Sequence, residues 1–99
     1  IDIYNHGRME RDFTYIDDIV EAIVRLIPAV PEPGRPAHAE DTLSPVAPYR
    51  LVNIGNGQPV QLLDFIAAIE RAAGREAIRN MMPMQPGDVT RTWADTTLL

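Results

Sequence analysis

The 99-residue chain has no cysteine and no lysine, and only 6% of its residues are aromatic. Without cysteine there is no disulfide framework, no thiol nucleophile and no thiolate metal site. Without lysine, every positive charge is an arginine, at positions 8, 11, 25, 35, 50, 71, 75, 79 and 91. These are scattered, and the formal net charge is -5, so no basic stripe suited to nucleic acid exists. No apolar run reaches membrane-spanning length and no signal peptide opens the chain, so the expectation is a cytoplasmic protein with neither membrane nor nucleic acid among its partners. Internal repeats and low-complexity tracts are also missing.

What is there is an ordinary hydrophobic share of 45%, which argues against full disorder, and nine prolines that punctuate the loops. At this length the chain makes one small domain or part of one, with a modest core. The stretch Arg11-Asp12-Phe13-Thr14-Tyr15-Ile16-Asp17-Asp18 organises it. Phe13, Tyr15 and Ile16 favour an extended backbone, while Asp18 with Glu21 three residues on has the form of a helix N-terminus. Strand and helix are therefore expected to meet at Asp17-Asp18. Ile1-Asp2-Ile3-Tyr4, the turn through His6 and Gly7, and a returning strand over 13–16 together predict a β-hairpin.

From Asp18 a first helix carries Ile19, Val20, Ile23, Val24, Leu26 and Ile27 on one wide apolar face, expected to be core, and stops before Pro28. Residues 29–48 have no periodicity and are expected to be a long flexible loop. A strand is predicted over 49–54, closed by Gly55-Asn56-Gly57. A second helix follows over about 61–73, with Gly74 as its stop. A short strand is expected near 78–82, then a turn over 84–88, and finally a helix start capped by Asp95. The fold class is α/β, with a β-hairpin, two main helices and short strands. Beginning inside a strand and ending at a helix start, the chain is expected to be a fragment.

Three stretches carry a resemblance. Arg11-Asp12-Phe13-Thr14-Tyr15-Ile16-Asp17-Asp18, Tyr49-Arg50-Leu51-Val52-Asn53-Ile54-Gly55-Asn56 and Met84-Gln85-Pro86-Gly87-Asp88-Val89 resemble, in order, motifs in the C-terminal part of the extended short-chain dehydrogenase/reductases. That family includes the NAD-dependent nucleotide-sugar epimerases and dehydratases. With Tyr4-Asn5-His6-Gly7 upstream and glutamine in Gln-Pro-Gly-Asp, the wording is most similar to the UDP-glucuronate 4-epimerases. The resemblance implies a substrate-binding portion of an extended short-chain dehydrogenase fold. It also implies NAD as cofactor of the complete enzyme, which oxidises the sugar at C4, lets the keto intermediate turn about its diphosphate, and reduces it on the other face. The catalytic Tyr-x-x-x-Lys cannot lie in a chain without lysine, and no Gly-x-x-Gly-x-x-Gly turn is present to hold a dinucleotide. On that basis the chain alone is expected to be inactive and to bind no cofactor, with a dinucleotide-binding half as its missing partner. An apolar face left open by that half would promote self-association.

The chemistry of a nucleoside diphosphate sugar selects the candidate site residues. Its oxygens need cationic donors and its ribose diol needs an acceptor. Guanidinium bonds phosphate oxygens bidentately, and an ionised carboxylate takes hydroxyl protons. Arg11 and Asp88 have these properties, although an arginine paired with a neighbouring acid and an aspartate shaping a turn would need no ligand. The resemblance implies that Arg11 contacts the diphosphate and Asp88 the ribose of a UDP-sugar substrate. Gln85 stands where many relatives carry arginine, and a neutral amide contributes a weaker diphosphate contact. Arg50 and Asn53 are weaker candidates, and His6 has no second histidine at ligand spacing, so no metal site is expected. The alternatives are another activity of the same family, a nucleotide-sugar dehydratase or decarboxylase, or a non-catalytic binding or assembly module.

Overall fold

A computed structural model describes all 99 residues, which group into two units. One comprises Ile1–Phe13 and Gln58–Trp93; the other comprises Thr14–Gly57 and Ala94–Leu99.

In the first unit, β1 (Asp2–Ile3) lies parallel to β4 (Asn80–Met81), with Asp2 opposite Asn80 and Ile3 opposite Met81. A separate three-stranded sheet places β2 (Glu10–Arg11) between antiparallel β3 (Val60–Gln61) and parallel β5 (Arg91–Thr92). The helix α2 (Leu62–Ala73) starts at the end of β3 and closes on Gly74, whose left-handed φ of 63° lets its N–H reach the Glu70 and Arg71 carbonyls. That stop is where the sequence placed it. The buried apolar side chains, Ile3, Met9 and Ile66, all lie in this unit. Beside them Phe13 stacks on Phe65, ring centroids 3.7 Å apart and planes 6° apart.

The expected β-hairpin does not form, because β1 and β2 belong to different sheets. Between them Tyr4–Gly7 makes a 3-10 turn in which Asn5, His6 and Gly7 all have positive φ, 48°, 51° and 77°. A consecutive run of left-handed residues redirects the chain. The backbone groups that a hairpin would use go elsewhere: the His6 N–H donates to the Met82 carbonyl at 2.9 Å, and the Met82 N–H donates to the Ile3 carbonyl at 2.8 Å. Gly7 is required here twice over, by its φ and because a Cβ would lie 2.6 Å from a methyl of Leu63.

In the second unit, α1 (Ile16–Leu26) begins two residues earlier than expected, so Tyr15 and Ile16 cap and open a helix rather than end a strand. No side chain caps the start; Asp17 and Asp18 lie in the first turn, where the helix dipole favours acids. The apolar face expected to be core is not buried: Val20 and Ile23 are each 50% exposed and Val24 58%. The amphipathic spacing makes the helix, but this unit supplies no layer to cover it.

Between Ile27 and Pro59 no residue is helical or in a strand, so the strand expected over 49–54 is also absent. Loop residues take the hydrogen bonds that a ladder would have used. The Ser44 N–H donates to the Tyr49 carbonyl at 2.8 Å, the Leu51 N–H donates to the Thr42 hydroxyl at 3.0 Å, and that hydroxyl donates to the Leu51 carbonyl at 2.5 Å. Arg50 forms a bidentate pair with Asp41 at 2.8 and 2.9 Å. At the C-terminal end no helix begins after Asp95; its carboxylate accepts the Thr97 N–H at 3.0 Å and hydroxyl at 2.7 Å, shaping a single turn.

Candidate functional site

Arg11 and Asp88, 77 positions apart in the chain, meet in the first unit. Arg11 ends β2, whose parallel pairing with β5 brings residues 88–90 alongside it: the Glu10 N–H donates to the Thr90 carbonyl at 2.8 Å. The turn before β5 is made by Pro86 and Gly87, with Gly87 at a φ of 82°. In that turn the Asp88 N–H donates to the Gln85 carbonyl at 3.2 Å.

The Arg11 Nη2 donates to Asp88 Oδ1 at 2.8 Å and to the Val89 carbonyl at 2.7 Å, while Nη1 donates to the Glu10 carbonyl at 2.8 Å. These bonds engage three of the five guanidinium N–H groups and tie the fork to its own strand and to the turn before β5. Asp88 Oδ1 also accepts the Val89 N–H at 2.8 Å, so both contacts fall on one oxygen and Oδ2 is the other acceptor of the carboxylate. With side chains 26% and 31% exposed, the two are partly accessible, and their ion pair and the turn contact of Asp88 are the arrangement that a role without ligand also gives. Gln85 is exposed on the same turn and reaches the pair only through its backbone.

The remaining candidates are placed apart from this pair. Arg50 is committed to Asp41, whose side chain is 1% exposed; the Arg50 hydrogen bond is the largest influence holding the Asp41 carboxyl below its ordinary value, and the Ala37 and Leu43 N–H groups add to it against the cost of burial. Asn53 donates to the Asp95 carbonyl at 3.0 Å, a packing role. The Asp95 carboxyl is itself held low, chiefly by the Thr97 hydroxyl and then by the Thr97 N–H. His6 is exposed on its turn. In the first unit, Glu70 is lowered by its hydrogen bond to Arg79 and by the Ala77 N–H.

Sequence reasoning missed the row of side chains behind Arg11. Glu10 stands between Gln61 and Arg91 in the sheet register, and its two oxygens accept from Gln61 Nε2 at 2.6 Å and Arg91 Nε at 2.7 Å. The Arg91 guanidinium carbon in turn lies 4.7 Å from the Trp93 ring centroid. The only sequence signal for this row is opposite charge at positions that become neighbours once the strands pair.

The fold and site thus define a small α/β chain that presents a partly exposed arginine–aspartate pair at the end of a parallel strand pair. Comparison with known proteins makes the likeness more particular. The whole chain is 60% identical to part of the "Probable UDP-glucuronate 4-epimerase" of Rhizobium meliloti, covering 30% of that protein. Protein CapI of Staphylococcus aureus is 54% identical over 96% of the chain, and UDP-glucuronate 4-epimerase 2 of Arabidopsis thaliana is 37% identical over 92%. The matching segment is the C-terminal part of these relatives, and the chain spans about 30% of the length of the first two and 20% of the plant protein. The resemblance read from the three motifs is therefore borne out along the whole chain. No family model matches it. No helix is long and apolar enough to cross a membrane.

Proposed function

We propose that this chain is the UDP-sugar-binding, C-terminal part of an NAD-dependent nucleotide-sugar epimerase of the extended short-chain dehydrogenase/reductase family, a UDP-glucuronate 4-epimerase that supplies cytoplasmic polysaccharide synthesis. The observation that carries the reading is the 60% identity of the whole chain to part of a protein of that name, and the Arg11–Asp88 contact at 2.8 Å brings the two candidate residues together. In a nucleoside diphosphate the ribose and the phosphates are adjacent, so a cation for one and an acceptor for the other must also be adjacent. Arg11 would bond diphosphate oxygens, Asp88 Oδ2 would accept from a ribose hydroxyl, and Gln85 would add an amide contact at the mouth of the turn.

The residues present do not fit a dinucleotide: there is no Gly-rich strand-to-helix turn and no lysine for the proton-relay pair. NAD would therefore be held by a dinucleotide-binding half outside these 99 residues, and this chain by itself would be inactive. Its contribution is positional. Binding energy at the UDP end, remote from the reacting carbon, would hold the nucleotide while the sugar turns. The exposed apolar face of α1 supports the need for such a partner half and, without it, self-association of the chain.

Sequencing the natural coding region around the chain and titrating its full-length product with UDP-glucuronate tests the reading. The expected outcome is an upstream Gly-rich turn with Tyr-x-x-x-Lys, and an Arg11→Ala variant that loses about 1.5–3 kcal/mol of affinity, the scale of a hydrogen bond to a charged group. An open reading frame without that half, or unchanged affinity in the variant, refutes it.

A further inference from the structure

The geometry points to Glu10 as a positioning residue: through the Gln61–Glu10–Arg91 ladder it keeps β5 in register with β2 and so keeps Asp88 and Val89 within reach of Arg11. The inference rests on the reading of Arg11 and Asp88 as the sugar-nucleotide contacts and adds a residue that touches no part of the ligand.

The pairing of β2 with its neighbours puts Gln61, Glu10 and Arg91 in one cross-strand row and Val60, Arg11 and Thr92 in the next. Because successive residues of a strand face opposite ways, Glu10 and Arg11 project from opposite faces of the sheet. Each strand is only two residues long, so the β2–β5 pair has few backbone bonds to fix its register. A one-residue slip would carry Asp88 about 3.3 Å along β2 and turn the row over. Glu10 opposes that slip by anchoring each neighbour with a different oxygen, Gln61 on Oε1 and Arg91 on Oε2. Arg91 is in turn steadied over the Trp93 ring. The consequence appears on the other face, where one nitrogen of Arg11 reaches both Asp88 and Val89 at under 3 Å.

The test uses the natural full-length protein with Glu10→Gln, Arg91→Met, Arg91→Lys and the exchanged pair Glu10→Arg/Arg91→Glu. Hydrogen exchange of the peptides covering 9–12 and 89–93 reports the β2–β5 pairing without reference to any ligand. Titration with UDP reports the site. Expected are faster exchange in Glu10→Gln and Arg91→Met and UDP affinity lowered about two- to fivefold, the range of a partly exposed ion pair. Arg91→Lys should retain both, and the exchanged pair, which re-forms the ion pair without the Gln61 and Trp93 contacts, should recover both in part. Unchanged exchange in Glu10→Gln overturns the inference whether or not UDP binds. Faster exchange with unchanged UDP affinity, in a protein whose Arg11→Ala variant does lose affinity, also overturns it, leaving Glu10 a purely structural residue. If wild-type protein fails to bind UDP, the functional reading falls and this inference falls with it, whereas exchange alone still decides the ladder.

Discussion

Replacing Gly7 with alanine tests the packing that holds the first unit together. Gly7 sits at φ 77°, and a Cβ there would lie 2.6, 2.7 and 2.9 Å from three carbons of the Leu63 side chain. The left-handed conformation costs an L-residue about 1–2 kcal/mol, offset by about 0.4–1 kcal/mol because alanine restricts the unfolded chain. Overlap with Leu63 adds the penalty of an overpacked site, about 1–3 kcal/mol. The total expected is about 1–4.6 kcal/mol. Gly74 supplies the control, since its φ is 63° but a Cβ there would meet nothing within 4 Å, so Gly74→Ala should cost only the conformational share of about 1 kcal/mol. In differential scanning calorimetry each kcal/mol moves the midpoint by about 4–8 °C in a domain of this size. The pair Gly7→Ala/Leu63→Ala should destabilise by less than the sum of its single variants, because the new methyl enters space that Leu63 vacates. If Gly7→Ala costs no more than Gly74→Ala, the close approach of the turn to α2 is refuted.

Asp88→Asn in the full-length protein should weaken UDP-sugar binding while lowering stability by under about 1 kcal/mol, since the ion pair it breaks is partly exposed; equal losses in calorimetry and titration would make Asp88 a turn-shaping residue instead. Asp41, held below its ordinary value of 3.8 first by Arg50, contributes stability that is present above the unfolded value and disappears as pH falls through the folded one. Asp41→Asn should therefore speed hydrogen exchange of residues 41–51 at pH 7 but change nothing once pH is low enough to protonate the native carboxylate; a difference that persists there would rule out the ionic origin. On α1, Val20→Glu with Ile23→Lys should abolish concentration-dependent association of the isolated chain in sedimentation velocity and leave its helix content unchanged, and undiminished association would move the sticky surface elsewhere.

The two helices and the Gly74 stop were legible because a 3.6-residue period sustained over eleven or twelve residues is a local property. The strands were not, because each is two residues long and its partners lie about fifty to eighty positions away. Val60–Gln61 and Arg91–Thr92 show almost no alternation, and the apparent strand over 49–54 gave its backbone groups to Thr42 and Ser44. The hairpin failed for a related reason: Asn5 and His6 tolerate positive φ, but nothing in their spacing announces that both adopt it. Amphipathicity correctly located α1 but not its burial, since a hydrophobic stripe states a need for cover without saying where the cover comes from. For the site, chemistry and resemblance selected Arg11 and Asp88 one at a time. Their contact depends on the β2–β5 pairing, and so does the Glu10 row behind them.

That contact also bears on how a ligand would engage the site. The Arg11 fork is already occupied by Asp88, Val89 and Glu10, so a diphosphate oxygen must either use its remaining N–H groups or displace Asp88. Displacement is affordable: a partly exposed ion pair is worth about 0–1 kcal/mol, whereas a charge-assisted bond to phosphate contributes about 1.5–3 kcal/mol. The two carbonyl contacts do not compete electrostatically with an anion in the way the carboxylate does, and they would keep the guanidinium between Glu10 and Val89 if Asp88 let go. Asp88 would then be released toward the ribose while Arg11 stays in place. An arginine held by backbone oxygens loses little side-chain entropy when the ligand arrives, and that saving, rather than the ion pair itself, is what the observed geometry would contribute to affinity.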